Sequence, residues 1–251
     1  MMSIYDNELV YVARRAAHAA ASVHRAHHEA GLRVSTKSEH GDIVTQVDRQ
    51  SEAAALEVVA AARPNDSARG EEGIAVTTGS TAIRWIIDPL DGTTNYALGM
   101  PYYCASVAAF DIERDQVVAA AIEAEALGVS YWAGRSLGAF RQLYGQMEHR
   151  LDRPARRDLP TILLTGLSYD PQIRAGQLGD LPQLSRPFDD IRALGSAALE
   201  LCLVADRTAE MYVETDLYEY DWAAGALIAQ EAGATVRTVA EQRGPVSAWW
   251  D

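Results

Sequence analysis

Apolar residues in the first part of the chain recur at helical spacing. The pattern predicts a helix over residues 6–30, with an alanine-rich face and Gly31 as its stop signal. His24 and His28 lie one turn apart in it, together with His18 and His27. Because no carboxylate pattern accompanies these histidines, we expect them on a solvated helix face and not around a metal.

A change from alternating to helical spacing follows. Residues 43–48 alternate apolar and polar side chains, as a strand does, and run into a second alanine-rich helix that ends near Arg63 and Pro64. A short strand then leads to the glycine-flanked acidic pair Glu71 and Glu72. The start of the chain therefore predicts two helices beside short strands.

The next apolar run ends in a carboxylate. Residues 85–87 predict a buried strand that delivers Asp88 to its tip, where Pro89 should block further ladder pairing. Gly92 allows close approach to the backbone, and residues 93–95 are types that open a helix. Acidic oxygens beside a helix start suit a divalent cation held against a phosphate.

The remaining pattern divides the chain into two halves. Antiparallel strands are predicted over residues 102–111, 117–123, 129–133 and 138–143, followed by a polar, proline-containing connection at 144–160. The second half alternates strands (162–165, 209–213, 235–239) with helices (172–178, 195–203 with a cap at Ser196, 221–232). We therefore expect an N-terminal half at 1–145 and a C-terminal α/β half at 160–251, forming one compact unit.

Composition narrows the class of protein. The 251 residues carry a formal net charge of −13, which disfavours nucleic acid and acidic membranes as partners. No apolar run approaches the roughly 18 residues of a membrane span, and no basic segment with an apolar stretch opens the chain. Cys104 and Cys202 form no paired motif, so we expect reduced cysteines in a cytoplasmic protein.

Four separated acidic motifs carry a resemblance to a known family. They are residues 42–48 behind Lys37 (the single lysine of the chain), 70–72, 88–95, and 221–225 continuing into 231–234. In order and spacing, the stretch from Lys37 to Val239 resembles the inositol monophosphatase family of magnesium-dependent, lithium-sensitive phosphatases. The resemblance implies a layered αβαβα sandwich of the sugar-phosphatase type, within the α/β (α+β) class, and a homodimer.

The resemblance implies a set of Mg²⁺ ligands. Glu71, Asp88 and the backbone carbonyl of Leu90 match the ligands of a first ion. Asp88, Asp91 and Asp221 match those of a second, and Glu71 matches a water-mediated ligand of a third. Carboxylate and carbonyl oxygens without Cys or His are the donors that Mg²⁺ prefers. Two ions would balance the formal charge of about −4 on these four acids.

The family resemblance also assigns catalytic groups. Asp48 and Thr93 match the pair that orients and deprotonates the attacking water, although Asp48 could instead be a helix N-cap. The backbone amides of Gly92 and Thr93 match the phosphate cradle. Lys37 matches a lysine near the metal site, and we count it with Glu71 among the catalytic residues.

Substrate residues come mostly from the second half. Glu214, Ala197 and Thr165, together with Asp91, match positions that contact a polyol, which favours inositol 1-phosphate. Histidinol phosphate and fructose 1,6-bisphosphate are the alternatives, because family members that act on them keep the same ligands. Thr94, where nucleotide-cleaving relatives carry lysine, disfavours 3′-phosphoadenosine 5′-phosphate. A hypothesis of another class is a non-catalytic binding partner, as some bacterial relatives are for the transcription machinery.

The C-terminus departs from the family pattern. Residues 237–251 are short and do not resemble the usual closing strand and helix, which leaves the last edge of the second sheet unassigned. Trp249 and Trp250 could pack into the core or against a dimer partner.

Overall fold

Two large β-sheets and the helices that cover them form alternating layers. The computed structural model describes residues 4–28, 34–36, 43–73, 79–152, 158–238 and 243–250. One buried cluster joins α1 and α2 to the first sheet, and another joins that sheet to α5, α6 and the second sheet. This order of layers confirms the expected αβαβα sandwich.

The elements have the following bounds. The helices are α1 Ile4–His28, α2 Gln46–Ala62, α3 Thr93–Ala97, α4 Pro171–Leu184, α5 Ala197–Ala205 and α6 Glu219–Ala232, with a 3₁₀ turn at Glu125–Leu127. The strands of the first half are β1 Val34–Thr36, β2 Ile43–Thr45, β3 Ser67–Gly70, β4 Ile83–Asp91, β5 Cys104–Asp111, β6 Gln116–Ala124, β7 Val129–Gly134, β8 Gly138–Leu143 and β9 His149–Arg150. Those of the second half are β10 Ile162–Thr165, β11 Asp190–Arg192, β12 Met211–Leu217, β13 Thr235–Thr238 and β14 Gly244–Trp249.

The first sheet has seven strands, in the order β3-β4-β5-β6-β7-β8-β9. Only the β3–β4 pair is parallel, and the other neighbours are antiparallel. Trp85 and Ile87 pack toward α1 and α2, whereas Ile86 between them packs toward α5 and α6. Because both faces are covered, residues 85–87 of β4 form a continuous apolar run and do not alternate with polar residues.

The second sheet has five strands, in the order β11-β10-β12-β14-β13. β10 lies parallel to β11 and β12, and β14 pairs antiparallel with β12 and β13. α4 is anchored to β12 where Gln177 Nε2 donates to Thr215 Oγ1 at 2.9 Å. The β1–β2 pair forms a small sheet by itself.

Two boundaries near the acidic motifs differ from the prediction. β4 does not end at Asp88 but continues to Asp91, and its register with β5 shifts between these two residues. Pro89 lacks an N–H and cannot donate a hydrogen bond to β5. The pairing of β4 with β5 is therefore interrupted by a bulge and resumes at Asp91. The predicted strand over 43–48 is also too long, because strand pairing stops at Thr45 and α2 begins at Gln46.

The C-terminal segment contributes an internal strand. β14 lies between β12 and β13. The edge of the second sheet that the sequence left unassigned is therefore formed by β13, and the C-terminal strand lies inside the sheet. Trp250 packs against the core of its own chain, where its Nε1 donates to the Val204 carbonyl at 2.8 Å and Arg207 lies 3.4 Å above its ring. The tail thus completes the second sheet.

Other predictions have mixed outcomes. Both cysteines are free and buried, as expected. α4 is longer than the helix predicted at 172–178, and β11 was not predicted. Among the described residues, no helix has the length and apolarity to cross a bilayer. The first sheet reaches Arg150 and the second begins at Ile162, but the division into halves at 145 and 160 stays a prediction.

We predict that Val246→Ala lowers the free energy of unfolding by about 1–3 kcal/mol, since Val246 is fully buried inside the second sheet. Urea denaturation followed by circular dichroism measures this change. Met147→Ala, at a position that is 82% exposed and outside the second sheet, is the control and should change stability by less than about 0.5 kcal/mol. Equal stability of Val246→Ala and the wild type would contradict the internal position of β14.

Candidate active site

Three chain segments bring acidic residues together at the end of β4. Asp88 and Asp91 lie on β4 itself, and Asp221 lies in the first turn of α6. Glu71 directly follows β3, the parallel neighbour of β4, and its backbone amide donates to the Ile87 carbonyl at 3.1 Å. Because β3 and β4 run parallel, their carboxyl ends meet and Glu71 comes beside Asp88.

The acidic groups repel one another. Burial raises the pKa of Asp88 well above its usual range, and the charges of Glu71, Asp91 and Asp221 raise it further. Burial, with the charges of Asp91 and Glu71, likewise raises the pKa of Asp221. Burial raises the pKa of Asp91 to about 6, against the lowering effect of its hydrogen bond with Ser196. The proximity of these acids and the burial of Asp88 and Asp91 therefore make full ionisation of this cluster costly.

A donor from the protein orients each β4 and α6 carboxylate. Asp88 Oδ1 accepts from the Leu90 amide at 3.0 Å, and Asp221 Oδ2 accepts from the Tyr218 amide at 2.6 Å. Asp91 Oδ2 accepts from Ser196 Oγ at 2.6 Å and from the Ala198 amide at 2.8 Å. Within the described ranges, no three His, Cys, Asp or Glu side chains already lie close enough together to form a metal site, so these acids are neighbours that act on one another through their charges. The structure thus gathers the acids and fixes one oxygen of each of these three.

Asp48 and Thr93 meet beside this cluster. Thr93 Oγ1 lies 3.1 Å from Asp48 Oδ1 and 2.9 Å from the Leu90 carbonyl, so its hydroxyl can donate to either acceptor. Asp48 is fully buried in the first turn of α2, and the helix begins two residues earlier, so the alternative of an N-cap is wrong. The pair is held where α2 faces the start of α3.

Gly92 shapes the turn between β4 and α3. Its φ is +94°, and a side chain there would place Cβ 2.9 Å from the Tyr102 carbonyl. Glycine satisfies both conditions, and the close approach is to the protein's own backbone. The turn sets the amides of Gly92 and Thr93 at the start of α3, where helix amides lack intrahelical partners.

Glu52 holds the turn that carries Glu71 and Glu72 by a hydrogen bond. It lies one turn after Asp48 on the buried face of α2, and its Oε2 accepts from the Glu72 amide at 2.7 Å. A Cβ at Gly70 would overlap the Glu52 carboxyl group. One helix face therefore positions both Asp48 and the turn that carries Glu71.

The predicted substrate residues approach from the second half. Glu214 on β12 is half-buried and accepts from the Tyr212 hydroxyl at 2.8 Å; burial raises its pKa to about 7. Ala197 is the first residue of α5, directly after the Ser196 cap. Thr165 ends β10 with its hydroxyl 3.5 Å from the Gly166 carbonyl, and in the described part of the chain no hydrogen bond joins it to the carboxylates. Lys37 lies outside the described residues.

Sequence reasoning missed Glu200. This buried acid on α5 accepts from the amides of Leu194 and Gly195, at 2.7 and 3.1 Å, and thereby orders the segment before Ser196. Burial and the charge of Glu214 raise the pKa of Glu200 to about 9. A single acid within the otherwise apolar sequence of α5 is the signal that could have identified it.

His24 is also misplaced by the sequence prediction. It is fully buried and not on a solvated face, and its Nε2–H donates to the Pro89 carbonyl at 2.9 Å. Tyr96 donates to the His24 carbonyl at 3.0 Å, and the rings of Tyr96 and Tyr103 pack against the imidazole. α1 therefore contacts the bulge between Asp88 and Asp91 directly.

Comparison with known proteins gives consistent results. A sequence model of the inositol monophosphatase family matches residues 6–250. The inositol-1-monophosphatase of Mycobacterium leprae is 40% identical over 223 residues, which cover 86% of this chain and 75% of that protein. The Nus factor SuhB of Haemophilus influenzae is 34% identical over 237 residues, covering 92% and 85% of the two chains.

Solved structures show the same architecture. The extragenic suppressor protein suhB from Bartonella henselae superposes with a TM-score of 0.82 at 30% identity, covering 98% of this chain and 94% of that one. This likeness confirms the type of layered sandwich expected from the acidic motifs.

We predict a distinct pH dependence of stability from His24. Burial lowers its pKa from 6.5 to about 4 in the folded protein, so between these values the unfolded chain binds the proton. Stability should therefore fall as pH drops from 6.5 to about 4, by on the order of 1 kcal/mol per pH unit from this group.

The matched variants are His24→Gln and His149→Gln, the second at an exposed position. The raised pKa values of the buried carboxyl groups act in the opposite direction in all three proteins, so the difference between proteins is the quantity that reports on His24. In urea denaturation across this pH range, the free energy of unfolding of the wild type should fall relative to that of His24→Gln as the pH drops, whereas His149→Gln should keep a constant difference from the wild type. Parallel profiles for all three proteins would show that His24 is not buried in its neutral form.

Proposed function

The chain belongs to the inositol monophosphatase family and is a phosphatase, and we propose that it hydrolyses a small polyol phosphate monoester, with inositol 1-phosphate as the first candidate. The reaction would depend on Mg²⁺ and use water as the nucleophile. The observation that carries the proposal is that the charges of Glu71, Asp91 and Asp221 all act on Asp88 at the end of β4, beside the start of α3.

The donor set fits a hard divalent cation. Among the described residues, the charges that act on Asp88 are those of the carboxylates Glu71, Asp91 and Asp221, and their repulsion would be relieved by positive charge among them. We propose that Glu71, Asp88 and the Leu90 carbonyl hold one ion, and that Asp88, Asp91 and Asp221 hold a second. A third could use Glu71 through water. When bound, Mg²⁺ supplies Lewis-acid polarisation and neutralises phosphate charge.

Asp48 and Thr93 would take up the proton of the attacking water. The Thr93 hydroxyl can donate to Asp48 Oδ1 while its oxygen accepts a hydrogen bond from the attacking water. As the water oxygen bonds to phosphorus, its proton passes to Thr93 Oγ1 and the hydroxyl proton of Thr93 passes to Asp48, while the ester P–O bond breaks and the departing alcohol oxygen takes a proton from a solvent water. The amides of Gly92 and Thr93 would bind phosphate oxygens during this step.

Polar groups of the second half favour a polyol as the alcohol part of the ester. Glu214 lies close enough for its charge to raise the pKa of Asp221. Its side chain would therefore be near a substrate bound beside the carboxylates. We propose that Glu214, Asp91, Ala197 and Thr165 contact the hydroxyl groups of the substrate. Histidinol phosphate and fructose 1,6-bisphosphate are the comparison substrates.

A binding role is the second candidate. The relative from Haemophilus influenzae that covers 92% of this chain is named a Nus factor, so a non-catalytic role for this chain is a specific alternative. It predicts no phosphate release from any monoester. For either role, the expected form of the protein is a cytoplasmic homodimer.

We predict that the purified protein with Mg²⁺ releases phosphate from inositol 1-phosphate with a higher kcat/KM than from the two comparison substrates. Asp91→Asn should lower kcat/KM by about a thousandfold or more, because it removes a charge that would face the cation. Asp115→Asn, in the exposed turn between β5 and β6, removes the same charge and should leave the rate unchanged. Wild-type activity of Asp91→Asn would contradict the proposed metal site.

We predict that Glu214→Gln acts on substrate binding more than on chemistry. Its KM for inositol 1-phosphate should rise roughly tenfold with little change in kcat, since the lost contact is to a hydroxyl remote from phosphorus. Glu148→Gln, at an exposed position, is the control. A fall in kcat at unchanged KM would instead place Glu214 in the chemical step.

A further inference from the structure

A cavity of about 680 Å³ lies away from the carboxylates, between α1 and strands β6–β8 of the first sheet. α1 contributes Tyr11, Arg14, Arg15 and His18 to its wall, and β7 contributes Trp132. Trp132 belongs to the core cluster on the α1–α2 face of the sheet, whereas Asp221 comes from α6 on the other face. The cavity is therefore separate from the candidate active site.

Two arginines give this cavity its charge. The guanidinium of Arg14 lies 3.7 Å from the centroid of the Trp132 ring, and that of Arg15 lies 5.8 Å from the Tyr11 ring. Across the described ranges, neither arginine forms an ion pair, although the chain has 35 acidic residues against 22 basic ones. A guanidinium against a ring face keeps its N–H donors around its edge.

Glu123, the acidic residue in the cavity wall, already interacts with neighbouring side chains. Glu123 accepts a short hydrogen bond from the Tyr144 hydroxyl, and its Oε1 lies 3.6 Å from His18 Nδ1. Ser130 and Gln142 add neutral polar groups to the wall. The charged groups around the cavity therefore favour the binding of an anion.

We propose that this cavity binds a small organic anion, a planar ring that carries a carboxylate, sulfonate or phosphate. Its volume falls within the range of about 300–1,000 Å³ that small-molecule sites have. Arg14 and Arg15 bind the anionic group through charge-assisted hydrogen bonds. The ligand ring packs against the Tyr11 side chain, which is 61% exposed, because Arg14 and Phe140 already cover the two faces of the Trp132 ring. The site is independent of the phosphatase proposal.

The test uses 2-naphthoate, which has no phosphate ester to hydrolyse, in isothermal titration calorimetry with the full chain. The neutral 2-naphthamide and acetate are the ligand controls, which separate the ring from the charge. Arg14→Gln/Arg15→Gln is the test variant. Arg114→Gln/Arg186→Gln removes the same total charge at exposed positions and is the matched control.

We expect 2-naphthoate to bind the wild type and the control variant equally at one site per chain. Binding to Arg14→Gln/Arg15→Gln should be about tenfold weaker or more, and neither control ligand should match 2-naphthoate. Ser130→Tyr keeps both arginines and narrows the cavity, so it should also weaken binding if the double variant fails to fold. No saturable binding by the wild type, or equal weakening in both double variants, would overturn the proposal.

Discussion

The repulsion among buried carboxylates at the end of β4 is the constraint on which the rest of this structure depends. Asp88, Asp91 and Asp221 are brought from a strand and a helix into one acidic cluster with Glu71. Such a cluster opposes folding unless its oxygens find donors or cations. The protein supplies donors from three segments of the chain, since the Leu90, Tyr218 and Ala198 amides each hold one carboxylate.

A second set of contacts holds the backbone that carries these acids. His24 on α1 binds the Pro89 carbonyl, and Glu52 on α2 binds the Glu72 amide. Arg84 on β4 pairs with both carboxyl oxygens of Glu219 at 2.6 and 2.9 Å, which fixes the first turn of α6 to the strand that carries Asp88. Helices from both faces of the first sheet thus converge on β4, so the stability of the fold and the geometry of the acidic cluster depend on the same contacts.

Much of this arrangement could be predicted from the sequence, where local signals are strong. The apolar run before Asp88, the glycine at position 92 and the Ser196 cap each depend on neighbouring residues. The burial of His24 and the insertion of β14 between β12 and β13 depend on residues distant in the sequence. Helical spacing alone cannot show which face of α1 meets Pro89, and a short strand does not reveal its position in a sheet. The roles of Lys37, Thr165 and the other site residues remain predictions.

The central claim is that the acidic cluster is a site for Mg²⁺, and proton release on binding tests it most directly. Because burial and mutual repulsion raise the pKa values of Asp88, Asp91 and Asp221, these carboxyl groups hold protons more readily than exposed acids do and should lose them when a cation binds. Titration calorimetry with Mg²⁺ in buffers of different ionisation enthalpy should show protons released to the buffer, with tighter binding as pH rises. Absence of Mg²⁺ binding, or binding that is independent of pH and releases no protons, would contradict the account.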